Sequence, residues 1–203
     1  MFNISAFKSN GLVYGGSRPS LFSVTLSVPQ GIGIDNASVQ KFRFTCQAAS
    51  LPQSRVDSID VPYFGRKIKV AGNRTFNDWE VTIQNDEDFS VRSLFELWSN
   101  AINRMVANVM DPAVDESGYK VDLTVEQLAQ NGELLRSYSI IGAFPTDISE
   151  MELDWESTNQ IQKFKVTFAY DYWVPVQESS SKQAGGINSY ADVADQDGPL
   201  GSN

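Results

Sequence analysis

Four carboxylates occupy alternate positions in one short segment of the sequence. They belong to the segment EMELDWE, and they are Glu150, Glu152, Asp154 and Glu156. On a β-strand they would share one face. Paired carboxylates act as acid and base when they face each other across a substrate with separated pKa values, which one row on one strand does not supply. We interpret the row as a solvated face, or as a face turned towards an acidic channel or a partner.

Other residue types that support catalysis or metal binding are scarce. The chain has no histidine, the commonest general base and metal ligand, and its one cysteine is Cys46. Cys46 lies on the apolar face of a predicted strand, so we interpret it as a core thiol. Asp86, Glu87 and Asp88 precede a helical pattern, where acidic groups oppose the positive end of the helix dipole, and Asp88 or Ser90 is the expected cap. The sequence therefore predicts no enzyme, no metal site and no cofactor.

One cluster of basic residues stands out in the sequence. It contains Arg66, Lys67 and Lys69, with Arg74 nearby. Two interpretations stay open: a solvated strand edge, or a salt-bridging contact with an acidic face of a neighbouring copy. The whole chain carries a formal net charge of −9. Binding to nucleic acid depends on clustered lysine and arginine that displace counterions, so we do not expect DNA to be bound. No leader and no apolar run long enough to cross a membrane are evident, so we expect no membrane binding.

Hydrophobic periodicity predicts the elements that position these groups. Period-two alternation indicates strands at 20–28, 41–48, 79–84, 119–125, 134–144, 150–156 and 162–173. In 41–48 we expect Phe42, Phe44, Cys46 and Ala48 to face inwards. Apolar residues at helical spacing predict one helix over about 89–109, and Asn131-Gly132 is a strong hairpin signal.

Residues 53–72 alternate less regularly and predict a two-stranded arm. Val56, Ile59 and Val61 form a short strand that Pro62 interrupts, and Gly65 permits a turn before Arg66. A hairpin of this kind has little core of its own, so it is expected to lie against something else.

These elements predict a mainly β fold: an antiparallel sandwich or barrel with one covering helix and a protruding hairpin. We divide the chain into an extended N-terminal arm (1–19), a β-domain (20–175) and a flexible C-terminal tail (176–203) rich in Ser, Gly, Ala, Gln and Asp.

Several long segments resemble the tail tube proteins of contractile-tailed, T-even-like bacteriophages. The clearest is FGRKIKVAGNRTFNDWEVTIQND at 64–86, followed by the helix with Phe95 and Trp98. Three more match in the same order: RPSLFSVTL (18–26), FTCQAASLP (44–52) and GAFPTDISEMELDWESTNQIQKFKVTFAYDYW (142–173). The resemblance spans about 18–173 and is weaker between 103 and 135.

The resemblance implies a structural virion protein. Proteins of this family form hexameric rings that stack into the inner tube of a phage tail, through which genomic DNA passes during ejection. The implied partners are other copies, the tail sheath, a tape measure protein in the lumen, and baseplate and tail terminator proteins. Assembly is expected in the host bacterial cytoplasm.

The resemblance also implies roles for particular residues. The hairpin should reach an adjacent ring, through the ring-stacking residues Val56, Ile59, Val61, Tyr63, Arg66, Lys67 and Lys69. Acidic groups are expected to line the lumen so that DNA does not adhere. The lumen candidates are Glu80, Glu150, Glu152, Asp154 and Glu156.

Three alternative functions remain open from the sequence. The chain extends 30 residues beyond Trp173, where close relatives tend to end, and residues 103–118 match no family segment. A baseplate-proximal tube initiator is therefore an alternative to the repeating unit. A small-ligand-binding β-barrel is a further alternative, and an enzyme is the least favoured.

Overall fold

The computed structural model describes residues 3–10, 16–27, 29, 31–111 and 118–176. Over these residues it confirms a mainly β, antiparallel fold. The strands are β1 (Phe22–Leu26), β2 (Cys46–Ala49), β3 (Ser54–Tyr63), β4 (Arg66–Phe76), β5 (Trp79–Gln84), β6 (Val121–Leu128), β7 (Leu134–Ile148), β8 (Lys163–Ala169) and β9 (Tyr172–Val176). The helices are α1 (Ile4–Asn10), α2 (Asn36–Thr45) and α3 (Ser90–Ile102).

The main sheet has seven strands. Six of them follow the order β1-β6-β7-β8-β5-β2, and the seventh, β9, pairs with β7 outside this order. The long strand β7 pairs first with β6 and β9 and then, beyond Gly142, with β8. Gly142 has a φ of 68°, so β7 bends there and divides the sheet into two layers. The architecture is therefore a sandwich and not a closed barrel.

Aromatic side chains on the buried face of α3 fill the core together with side chains of the sheet. Phe95 and Trp98 are fully buried, and each ring lies against Phe168 of β8, with centroids 5.8 and 6.2 Å away. The Trp98 indole N–H donates to the carbonyl of Tyr119 at 2.8 Å, so its polar atom is satisfied inside the core. The predicted covering helix is confirmed.

The end of that helix was predicted wrongly. It stops at Ile102 instead of 109, and Asn103 has extended backbone angles. Met105, Val106 and Val109 continue the helical spacing, but all three are exposed. The apolar pattern continued beyond the core, so no buried surface was left to hold another turn.

The predicted strand at 41–48 was also wrong, because most of it is the last half of helix α2. The alternation of Phe42, Phe44 and Cys46 suggested a strand, yet Phe44 is 82% exposed. The buried pair is Val39 and Phe42, at helical i,i+3 spacing, and α2 packs against α3 and β1. Only Cys46–Ala49 form a strand.

The ends of the chain differ from the expectation where they are described. Ile4–Asn10 form a short helix and not an extended segment. At the other end β9 continues through Pro175 to Val176, so Val176 belongs to the sheet and not to the tail. Residues 177–203 lie outside the described part of the chain, and the prediction of a flexible tail stays untested. None of the described helices combines the length and apolarity needed to cross a membrane.

Candidate functional site

The predicted arm is a separate two-stranded sheet. β3 and β4 pair with each other from Ser54↔Phe76 to Tyr63↔Arg66 and join none of the other described strands. No residue of either strand is buried. Pro62 was expected to interrupt the first strand, but it stays in register opposite Lys67. Both strands are sheet edges, where a missing N–H can face solvent, so proline is tolerated there.

The outer half of the arm has one apolar face and one charged face. Cross-strand partners share a face, so Ile59 and Val61 lie beside Val70 and Ile68 on one side. These four side chains are 43–55% exposed. On the other side, Lys67 Nζ lies 3.5 Å from Asp60 Oδ2, with Lys69 directly opposite Asp60.

The arm turns through Phe64-Gly65, and both residues have positive φ, 43° and 78°. That turn geometry favours Asn-Gly or Asp-Gly, so phenylalanine at the first position is strained. Phe64 is nevertheless 92% exposed, with its ring 4.7 Å from that of Tyr63. Phe64, Ile68 and Val70 were absent from the ring-stacking residues predicted from the sequence. The sequence signal that could have identified Phe64 as an exposed residue of the turn was the Phe-Gly pair between the two predicted strands.

Aromatic residues hold the base of the arm to the sandwich. The Tyr170 hydroxyl and the Trp173 indole both donate to the carbonyl of Gln53, at 3.4 and 3.3 Å. The Trp79 indole donates to the carbonyl of Ser50 at 2.7 Å. The arm therefore leaves the sheet from a fixed base, although its own strands are uncovered.

The acidic row is a loop and not a strand, which corrects the sequence prediction. Residues 149–162 connect β7 to β8, and the segment 150–156 has no strand pairing. Asp154 folds the loop by accepting hydrogen bonds from the Glu156 backbone N–H at 3.0 Å and the Ser157 hydroxyl at 3.1 Å. The alternation was real, but Leu153 and Trp155 have no core beneath them and are 83% and 99% exposed.

The carboxylates of this loop also differ in their surroundings. Asp154 supports the turn, whereas Glu150, Glu152 and Glu156 are exposed and form no ion pair within the described residues. No strand face collects the four acidic groups, so the premise of a single acidic wall was wrong. The loop is an acidic projection with two exposed apolar side chains.

Glu80 lies on the outward face of β5, as predicted, but it is paired. Lys165 Nζ of β8 lies 3.0 Å from Glu80 Oε1. The register places Lys165 opposite Thr82 and Lys163 opposite Gln84, so basic groups share this face. The face is mixed in charge and otherwise polar, not acidic.

A concavity of about 1160 Å³ lies between the 149–162 loop and this outward face. Its floor includes Thr82, Gln84, Lys163 and Lys165, and its wall includes Leu153 and Trp155. It exceeds the usual range of small-molecule pockets, about 300–1,000 Å³. Its size suits a protein segment better than a single small ligand.

Groups that could hold a metal or act as nucleophiles are not assembled in the described ranges. No set of three Cys, Asp or Glu side chains there could share a metal ion. Burial raises the pKa of the Cys46 thiol to about 12, which keeps it protonated and unreactive near neutral pH.

The acidic residues before helix α3 bind a lysine of α2. Asp86 and Asp88 both contact Lys41 Nζ at 2.5 Å, and Asp88 accepts a hydrogen bond from the Ser90 backbone N–H at 3.1 Å. The prediction that Asp88 or Ser90 is the N-cap was wrong, because Phe89 occupies that position without a side-chain cap hydrogen bond. Asp88, one residue earlier, instead links the start of α3 to α2 through Lys41.

Comparison with known proteins gives the same family as the sequence resemblance. Residues 17–176 match the family model described as phage tail tube protein. The chain is 39% identical over 158 residues to the tail tube protein gp19 of Enterobacteria phage T4, covering 77% of this chain and 90% of gp19.

Two solved structures share the fold at low identity. One is a chain of an extended sheath-tube complex of the extracellular contractile injection system PVC, with TM-score 0.51 and 17% identity, covering 87% of this chain and 99% of that chain. The other is a chain of the sixfold-symmetrised baseplate of the anti-feeding prophage, with TM-score 0.55 and 11% identity, covering 79% and 95%. This chain therefore belongs to the phage tail tube protein family and is a structural component of the tail of a contractile-tailed phage.

Proposed function

We propose that six copies of this chain form a ring, and that the rings stack into the inner tube of the tail. The observation that carries this proposal is the arm, a hairpin of two paired strands in which no residue is buried. An isolated two-stranded hairpin is marginally stable in water. A second molecule that covers the apolar face of the arm would supply the missing burial.

The arm supports stacking between rings better than contact within one subunit. Its base is fixed by Trp79, Tyr170 and Trp173, while Ile59, Val61 and Phe64 project without cover. Exposed strand edges and half-exposed apolar residues promote association between chains. We therefore assign the stacking contact to Val56, Ile59, Val61, Tyr63, Phe64, Arg66, Lys67 and Lys69.

The number six and the outer partners are inferred from related assemblies. The fold recurs in a sixfold-symmetrised baseplate and in a sheath-tube complex, which supports a hexamer, a surrounding sheath and a baseplate. A head-to-tail stack does not close on itself, so other proteins must set its length and end it. A tape measure and a tail terminator fill those roles in this proposal, with assembly in the host bacterial cytoplasm.

We propose that the outward face of β5 and β8, including Glu80, lines the lumen. Lys163 and Lys165 share this face with Glu80 and Asp147, so its four formal charges balance. DNA binding to a protein surface grows with unbalanced lysine and arginine. A balanced polar wall lets a duplex pass without specific binding. The loop 149–162, with Glu150, Glu152, Asp154 and Glu156, then lies at the rim of the lumen and not along its wall.

The repeating tube unit is favoured over a baseplate-proximal initiator. The match covers 90% of the T4 tail tube protein, which supports the same role along the tube.

Electron microscopy of the purified protein tests the proposal. Sedimentation velocity should detect ring-sized particles, and negative staining should show sixfold rings and tubes of stacked rings at high concentration. Particles that stay monomeric, even with the baseplate supplied as a template, would refute it.

A further inference from the structure

The short helix α1 has an apolar face that no described helix or strand of its own chain covers. Ile4 and Phe7 lie at i,i+3 spacing and therefore share a face, and both side chains are more than half exposed. Lys8, four residues after Ile4, lies on the same side. α1 packs against no other described helix or strand. A helix of seven residues is marginal in water by itself, so it needs a surface to lie on.

The edge strand β9 carries a matching apolar surface. Tyr172, Val174 and Val176 alternate along the strand, so they share one face, and all three are exposed. We call these three residues the β9 strip. Exposed apolar residues on an edge strand favour association with another chain.

The β9 strip and the segment that leads to α1 lie on opposite edges of one part of the sheet. Residues 137–140 of β7 pair with β6 on one side and with β9 on the other, and β6 pairs in turn with β1. The strand order there is β1-β6-β7-β9. The segment before β1 is fixed to β6, because Gln127 Nε2 donates to the Arg18 carbonyl at 2.7 Å and the Leu128 N–H donates to the Leu21 carbonyl at 2.9 Å.

The two features also lie at the same end of these strands. Phe22, the first residue of β1, is opposite Gln127, and Val176, the last residue of β9, is opposite Ser137. Gln127 is itself opposite Arg136, next to Ser137. Residues 11–17 separate α1 from the fixed segment, and seven extended residues span up to about 25 Å. The helix can therefore reach past the β1 edge to a copy that lies beside it.

Unpaired charges at the two sites are complementary. Glu126 lies in one cross-strand row with Ser137 and Val176, so its carboxylate belongs to the face of the β9 strip. Neither Glu126 nor Lys8 forms an ion pair within the described structure. A lysine at the end of α1 thus has an acidic counterpart beside the strip.

We propose that α1 of one copy lies on the β9 strip of the next copy in the same ring. The inference rests on the proposed function and adds a contact within the ring. Ile4 and Phe7 cover the apolar side chains of the strip, and Lys8 approaches Glu126. Because helix and strip belong to opposite edges, each copy donates one helix and receives another. Such a heterologous contact closes into a ring when the rotation between copies closes.

Charge exchange between the two sites measures the contact. Lys8→Glu and Glu126→Lys should each raise severalfold the protein concentration at which rings form, because each places like charges together. The variant with both changes should recover most of the loss. Glu87→Lys is the matched control, since it makes the same charge change as Glu126→Lys at an exposed site outside the contact, and it should assemble like the original chain.

Thermal unfolding separates this contact from a role in folding. Lys8→Glu should leave the melting temperature of the unassembled subunit unchanged, because α1 packs against no described helix or strand. Normal ring formation by Lys8→Glu, or no recovery in the combined variant, would contradict the contact.

Cross-linking of assembled rings tests which copy receives the helix. One variant carries Asn10→Cys at the end of α1 and Ser139→Cys opposite Val174, so the apolar residues of the contact stay in place. A short bismaleimide joins the two introduced thiols. The native Cys46 should stay unreactive, because burial raises its pKa to about 12. Asn10→Cys with Leu153→Cys is the control, since Leu153 is exposed on a different surface.

Denaturing gels of the first variant should show a series of covalent species that ends at six copies, while the control stays monomeric. A cross-link confined to single chains would place the helix on its own subunit, and a series beyond six copies would place it on another ring. Either result, or no cross-link in rings that electron microscopy shows to be intact, would overturn the inference and leave the proposed function standing. If the original chain forms no rings, both proposals fail.

Discussion

Asp171 lies directly against Gly142, the residue at which β7 bends. A Cβ added to Gly142 would lie 3.0 Å from Asp171 Cγ and still closer to one carboxylate oxygen. That carboxylate is held by Lys120 Nζ at 2.8 and 2.9 Å. The bend that divides the sheet into two layers therefore depends on the absence of a side chain at position 142.

Gly142→Ala should destabilise the subunit by more than the backbone strain alone. The positive φ costs an L-residue about 1–2 kcal/mol, and displacing Asp171 also disturbs its pair with Lys120. Urea unfolding of the unassembled protein measures the free energy. Gly132→Ala is the control, since Gly132 also has a positive φ of 83° but open space around its Cβ position. Equal losses in the two variants would show that the Asp171 contact is unimportant.

Lys41→Met should remove a pH-dependent stabilisation that connects α2 to the start of α3. The Lys41 ammonium, with the Ser90 backbone N–H, lowers the pKa of Asp88 to about 2 from an ordinary 3.8, and Lys41 also lowers the pKa of Asp86. Because these folded-state pKa values are depressed, the stabilisation is present above the ordinary value and is lost as the pH falls towards about 2.

The test compares the free energy of unfolding of Lys41→Met and of the original chain from about pH 6 to about pH 2. The difference should be largest at the upper end and shrink across the acidic range. Lys163→Met controls for the loss of a positive charge, because Lys163 forms no ion pair in the described structure. A difference independent of pH would contradict an electrostatic role of Lys41.

Shortening the arm should abolish stacking without unfolding the subunit. The change replaces residues 57–73 with an Asn-Gly turn, so the pair Val56↔Arg74 at the base remains. No buried residue is removed, so the melting temperature should stay within a few degrees of the original, about 2–4 °C. Electron microscopy should show single rings and no tubes. Long tubes from this variant would exclude the arm as the stacking element.

Phe64→Asn should separate stability from assembly at the tip of the arm. Asparagine tolerates the φ of 43° and suits the turn with Gly65, so the hairpin should not be weakened. If Phe64 makes the contact between rings, the concentration needed for tubes should rise several-fold. Phe64→Tyr keeps the aromatic ring and should assemble normally. Reduced assembly in both variants would point to the turn and not to the ring.

The sequence predicted the elements whose apolar alternation coincides with burial. β5 is the clearest example, since Trp79, Val81 and Ile83 are all buried, and the hairpin at Asn131-Gly132 joins β6 to β7 as expected. The arm was also predicted, because its weak alternation matched its lack of a core.

The failures share one physical cause: periodicity gives the spacing of apolar residues but not what they pack against. Trp155 alternates as in a strand, yet no second layer lies beneath it. Phe44 fits a strand pattern, although the local burial of Val39 and Phe42 favours a helix. The sequence identified the acidic segment as a surface. Its position at the end of the β5–β8 pair that lies away from the arm depends on the long-range pairing of these two strands, which no local pattern contains.

The most direct test is a cryo-EM reconstruction of tubes assembled from the original chain. We predict stacked sixfold rings in which the arm of each subunit crosses to the adjacent ring and a neighbouring copy covers its apolar face. A reconstruction in which the arms stay within their own ring, or in which the copies form no stacked rings, would contradict this account.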